Sequence, residues 1–202
     1  MRRRSVLVVA WAAALAAGCS PGDASLPPEP TVPTAPSSTT STTVVDVSAI
    51  PEVIDEAYLN RVLAALDAVE ARATELIVAN KALVPEAAEI LNSVYADDRF
   101  SAHADAWVEA LVDDPALSSV RAGSRRTTVE RVITAGPTCV WSEVRRDYSE
   151  TTATPQPLQT EYVALRPLDP SNDPNQHNST AWMITVDGFN ADGSEPVDPC
   201  RG

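Results

Sequence analysis

The chain has 202 residues, enough for one domain plus extensions, and 44% of them are hydrophobic, which excludes a wholly disordered protein. Aromatic residues make up only 5%, so a core must rest mainly on Ala, Val, Leu and Ile. The formal net charge is −13, and without Arg2, Arg3 and Arg4 the balance falls to −16; a surface this acidic repels phosphate backbones and argues against nucleic-acid binding.

Arg2 to Arg4 form a positively charged start. They are followed by an unbroken apolar run, Val6 to Ala17, whose 12 residues suit the core of an export signal and are too short to span a bilayer comfortably. The run ends in Leu15-Ala16-Ala17-Gly18-Cys19, small residues before a cysteine. This stretch resembles the bacterial lipobox, with one departure: the usual leucine three places before the cysteine is Ala16, and Leu15 stands one place earlier. The resemblance implies a signal peptide over 1–18, diacylglyceryl attached to the Cys19 thiol, and a new amino terminus acylated by a chain such as palmitate. The expected location is the outer face of a cell membrane, held by lipid. The alternative is an ordinary signal peptide with Cys19 incidental. Cysteine arithmetic favours lipidation: of three cysteines, a lipidated Cys19 leaves Cys139 and Cys200 as a pair. Their disulfide closes a loop of about 62 residues, for a chain-entropy stabilisation of about 4 kcal/mol; the alternative is two free thiols.

Residues 19–48 read as a tether. Leu26-Pro27-Pro28-Glu29-Pro30 and the prolines after it run into Ser37-Ser38-Thr39-Thr40-Ser41-Thr42-Thr43, a composition that cannot bury enough apolar surface to offset its ordering entropy. A single folded domain is expected over 49–202. Ile54, Tyr58, Val62, Leu66, Val69, Ala73 and Leu76 recur at helical spacing, which predicts a helix from Pro51 to Asn80. A second helix is expected from Pro85, with Ala88, Leu91 and Tyr95 inward, and a third over Asp98–Val112 with Ala104, Trp107, Val108 and Leu111 inward. The period then shortens. Thr127–Thr134, Thr138–Tyr148, Leu158–Arg166 and Thr180–Asp187 read as strands, the first two separated by Gly136-Pro137. Helices before strands predict an α+β domain, with the helices covering one face of an antiparallel sheet.

That element order resembles the nuclear-transport-factor-two-like superfamily, whose long first helix, two shorter helices and curved antiparallel sheet form a cone with a pocket. The family often has a short strand after its second helix, which the sequence does not reveal. The superfamily holds isomerases, hydratases and polyketide cyclases beside many non-catalytic binding modules, so the resemblance does not select an activity.

Chemistry-bearing patterns are sparse. His103 and His177 stand alone, no cysteine is left for zinc, and His-Glu-x-x-His, phosphate-loop and Gly-x-Ser-x-Gly patterns are missing. No cofactor or metal is therefore expected. Gly188-Phe189-Asn190-Ala191-Asp192-Gly193 lacks the first and twelfth ligands of a calcium loop and reads as a turn. Alternation along Thr138–Tyr148 places Trp141, Glu143, Arg145 and Asp147 on one face and Val140, Ser142, Val144, Arg146 and Tyr148 on the other. Glu143 and Asp147 are the acid–base candidates; the competing reading is a solvent-facing row of salt bridges. Two functions follow. The favoured one is a non-catalytic envelope module that binds a protein partner or a small apolar ligand. The other is a small enzyme of isomerase, hydratase or cyclase type with acidic pocket residues.

Overall fold

The computed structural model describes residues 46–96, 123–151, 158–188, 194 and 196–201. By internal contact the chain divides into Met1–Thr42 and Thr43–Gly202, and every described residue belongs to the second unit. The expected helix over Asp98–Val112, with His103 and Trp107, lies outside the described residues, as do Cys19, the expected signal peptide and most of the expected tether.

Helix α1 spans Glu56–Asn80. It begins five residues later than Pro51, because Asp55 is extended and its carboxylate accepts the amide of Tyr58 at 2.7 Å, satisfying one of the orphan donors of the first turn. It ends at Lys81, whose left-handed backbone (φ 50°) turns its N–H back to the Ile77 carbonyl. Asp55→Ala is expected to lower unfolding free energy by about 1 kcal/mol, read from urea denaturation. Leu59, Leu63, Leu66, Ala73 and Ile77 are buried, whereas the expected Val69 and Leu76 are only half-buried, so the helix is rotated slightly from the predicted stripe. That rotation turns Asp67 and Glu70 inward.

Helix α2, Pro85–Val94, starts where Pro85 places it and buries Ala87, Ile90, Leu91 and Val94, with Ala88 only half-buried. Tyr95 is not helical as expected. It is extended and forms a parallel bridge with Ile184, and Ala96 N–H donates to the Ile184 carbonyl at 3.0 Å.

The four expected strands form: β1 Arg126–Gly136, β2 Cys139–Asp147, β3 Gln159–Pro167 and β4 Trp182–Gly188. They make one antiparallel, curved and unclosed sheet in the order β1-β2-β3-β4, giving an α+β fold with its helices ahead of its sheet. Pro137-Thr138 turns the β1–β2 hairpin, and register shifts interrupt β1 at Glu130 and Ile133 and β4 at Thr185. Such bulges strengthen the twist and bend a strand.

The sheet has two unlike faces. Val129, Val140, Val144, Val163, Leu165, Trp182 and Ile184 join the helices in the main core. Trp182 donates its indole N–H to the Tyr58 hydroxyl at 2.7 Å, and that hydroxyl in turn donates to the Ala49 carbonyl at 2.9 Å. The outer face carries a smaller cluster of Trp141, Tyr162 and Ala164. Cys139 and Cys200 are disulfide-bonded there, with Cα atoms 5.5 Å apart.

The loop between β3 and β4 is built from side chains. Asp173 accepts the amides of His177 and Asn178, each at 2.8 Å, and the buried Asn178 amide donates to the carbonyls of Ser93 and Trp182 at 2.7 and 2.8 Å. Asn178 is thus a structural tie to α2. Among the described residues no helix is long and apolar enough to cross a membrane.

Candidate functional site

The inner face of the sheet changes character at one end. Directly paired residues of antiparallel strands share a face. Pairing of Val140 with Leu165, Ser142 with Val163 and Val144 with Glu161 therefore runs from apolar to charged, and Arg146, paired with Thr127, ends the row. The bulge at Thr185 completes it. Plain alternation from Trp182 and Ile184 would turn Val186 inward and Asp187 outward; the extra residue reverses this. Asp187 then pairs with Val163 on the inner face, and Val186 packs on the outer cluster.

Against this end of the sheet α1 sets Asp67 and Glu70, and the chain entering β1 sets Arg125. A Cβ at Gly123 would collide with the Glu150 carbonyl, so glycine lets this entry run close along the 149–151 turn. Arg125 Nε meets Asp67 Oδ1 at 2.8 Å, its Nη2 meets Glu70 Oε2 at 2.7 Å, and its Nη1 lies 3.6 Å from Asp187 Oδ2. Asp67 also accepts the Thr127 amide at 2.7 Å and the Thr127 hydroxyl at 3.0 Å. The Tyr95 hydroxyl donates to Glu70 at 2.8 Å. Arg146 Nη1 pairs with Glu161 Oε2 at 2.7 Å and with Asp187, and Tyr148 donates to the other Glu161 oxygen at 3.2 Å. Asp187 thus lies between two arginines, and two tyrosines cap two of the acids.

Burial dominates the electrostatics. It pushes the Glu70 carboxyl above its ordinary value; Arg125 opposes the shift, and the negative charge of Asp67 adds to it. Burial also pushes Tyr95 well up and Tyr148 up to about 12. It works to lower both arginines, yet Arg125 is held above its ordinary value by the facing charges of Glu70, Tyr95, Asp187 and Asp67. Arg146 is raised as well: burial and Arg125 work against it, and Asp187, Tyr148 and Glu161 prevail. Among the described groups, four carboxylates face two guanidiniums. The Nε and Nη2 atoms of Arg146 are buried without a hydrogen bond, at about 1–3 kcal/mol for each unsatisfied donor.

No protein-family model, curated protein or solved structure matches this chain.

Of the residues singled out in the sequence, Cys139 and Cys200 are brought together, and Cys19 lies outside the described residues. Glu143 and Asp147 share the outer face of β2 and belong to neither cluster. Glu143 pairs with Arg131 at 2.8 Å, Arg145 pairs with Glu130, and Asp147 accepts the Ser149 amide at 2.9 Å, which lowers its pKa. Glu143→Gln is expected to change stability by less than about 1 kcal/mol, as exposed ion pairs do; a larger loss in thermal unfolding would contradict a surface role. His177 is half-buried with Nε2 3.8 Å from Glu89. Among the described residues no three His, Cys, Asp or Glu side chains converge as metal ligands.

Sequence reasoning missed the inner cluster, although one signal was present: Asp67 and Glu70 interrupt the apolar run of α1 between Leu66 and Ala73. An open groove of about 360 Å³ lies elsewhere; its described lining is Ala65, Ala68, Val69 and Ile90 with Arg72, His177 and Ser179, none of them an acid.

Proposed function

We propose that this chain is an exported, lipid-anchored, non-catalytic binding module of a bacterial cell envelope, taking a small apolar ligand in the groove between α1, α2 and the 177–179 loop. The observation that carries this reading is a separation. The buried acids are tied to arginines, hydroxyls and a backbone amide, while the groove has an apolar floor and no acid among its described lining residues. An apolar concavity with a few polar groups at its rim suits binding. The cone-like, nuclear-transport-factor-two-like architecture is part of the proposal; its support is the element order and the Tyr95–Ile184 bridge, which stands where that family often has a short strand.

Titration with 1-octanol, followed by NMR, is expected to shift the amides of Ala65, Ala68 and Ile90, and Ala68→Arg is expected to abolish the shifts. The second reading, a small isomerase, hydratase or cyclase, is favoured by one observation: a buried carboxyl with a raised pKa, Glu70, bonded to a tyrosine hydroxyl. A broad activity screen separates the two. Turnover abolished by Glu70→Gln or Asp187→Asn in a folded protein, with no octanol response, would sink the binding reading.

The anchor is tested separately. Mass spectrometry of protein from membranes is expected to find an acylated amino-terminal cysteine at Cys19, and Cys19→Ala is expected to release the protein into the soluble fraction. A mature terminus elsewhere, or a variant as membrane-bound as the wild type, refutes lipidation. Two or three acyl chains anchor stably where one does not.

A further inference from the structure

The outer face of the sheet holds an aromatic pair with Cys200 packed against it. Trp141 and Tyr162 stack with ring centroids 5.3 Å apart, both buried, and Ile133, Val186 and Cys200 pack against them and Ala164. Ion pairs on the same face, Arg131–Glu143 and Arg145–Glu130, rim the cluster.

Residues 196–201 reach this cluster with few holds on it. One hydrogen bond leaves the segment for the sheet, from the Thr134 hydroxyl to Asp198 at 2.7 Å. The others are internal: the Cys200 amide donates to Asp198 at 2.8 Å, Arg201 pairs with Asp198 at 3.1 Å, and the Arg201 amide donates to the Asp198 carbonyl at 3.4 Å. Val197 is 88% exposed. Pro196, Asp198, Pro199 and Cys200 are half-buried and no residue of the segment is fully buried, so little buried surface offsets the entropy of ordering it. The Cys139–Cys200 bond is the covalent hold of this segment on the sheet.

We propose that residues 196–201 form a releasable strap over the Trp141–Tyr162 face, with the Cys139–Cys200 disulfide as its clasp. An external dithiol opens it: one thiolate attacks a sulfur of the bridge and forms a mixed disulfide. The second thiol resolves that intermediate, so the dithiol is oxidised by two electrons to its own disulfide and Cys139 and Cys200 become thiols. The strap then undocks and presents the aromatic pair within its charged rim. The main core is on the opposite face of the sheet and keeps the domain folded.

Hydrogen exchange of the full chain, oxidised or treated with dithiothreitol, tests this. Reduction is expected to speed exchange of the Cys200 and Arg201 amides by about tenfold or more while β2 and β3 stay protected. Acrylamide quenching is expected to rise on reduction in the wild type but not in Trp141→Phe, and Cys200→Ser is expected to behave as reduced without dithiol. Unchanged protection of 196–201 after reduction would overturn the proposal, since noncovalent contacts would then suffice. Simultaneous loss of protection in α1 and all four strands would overturn it too, since the bond would then be a staple of the whole fold.

Discussion

Replacing Arg125 with methionine is expected to cost about 3–5 kcal/mol of unfolding free energy, a large fraction of the total for a domain of this size. The side chain is 8% exposed and faces Asp67, Glu70 and Asp187. Methionine fills similar space without charge and leaves Asp67 and Glu70 buried without their guanidinium. Urea denaturation at pH 7 measures the loss, and a value under about 1 kcal/mol would show that the acids find other compensation. The pH dependence carries a sign. Burial already raises the Glu70 carboxyl, and Arg125 pulls it down, so the variant raises it further. A carboxyl whose folded pKa lies above its unfolded value stabilises the fold below the unfolded value, and that contribution is lost as pH rises through the folded value. The stability gap between variant and wild type is therefore expected to narrow from pH 7 to pH 5. An equal gap at both pH values would mean that no uncompensated carboxyl is left behind.

Trp182→Ala is expected to cost a similar amount, about 3–5 kcal/mol, through a cavity in the main core. The indole is fully buried, and its N–H is bonded to Tyr58, which ties β4 to the start of α1 and to the chain at Ala49. Trp182→Phe keeps most of the volume and loses mainly the hydrogen bond, so it is expected to cost markedly less. Thermal unfolding followed by near-ultraviolet circular dichroism separates the two. Equal losses in both variants would assign the effect to the hydrogen bond rather than to packing.

The elements themselves were legible in the chain. Strand β1 announces itself as a β-branched run, because such side chains suit a pleated surface, and Gly136-Pro137 marks the turn after it. The two faces of β2 follow from alternation alone, and they hold. The start of α1 was misplaced because Pro51 fits a first turn as well as Asp55 fits a cap, and local sequence does not rank them. Tyr95 was read as helical because its spacing from Leu91 is helical; its bridge to Ile184 lies 89 residues away in the chain and is invisible locally.

Local sequence thus determined where helices and strands lie, since period and turn chemistry act within a few residues. It also carried the pairing expected of Cys139 and Cys200, which the structure forms. The inner charge cluster was decided only by the tertiary structure. Asp67 and Arg125 meet across 58 residues, and Asp187 turns inward only because a bulge at Thr185 reverses the alternation of β4. A buried charge is stabilised by the neighbours that folding brings to it, and neither those neighbours nor a one-residue bulge leaves a periodic mark in the chain.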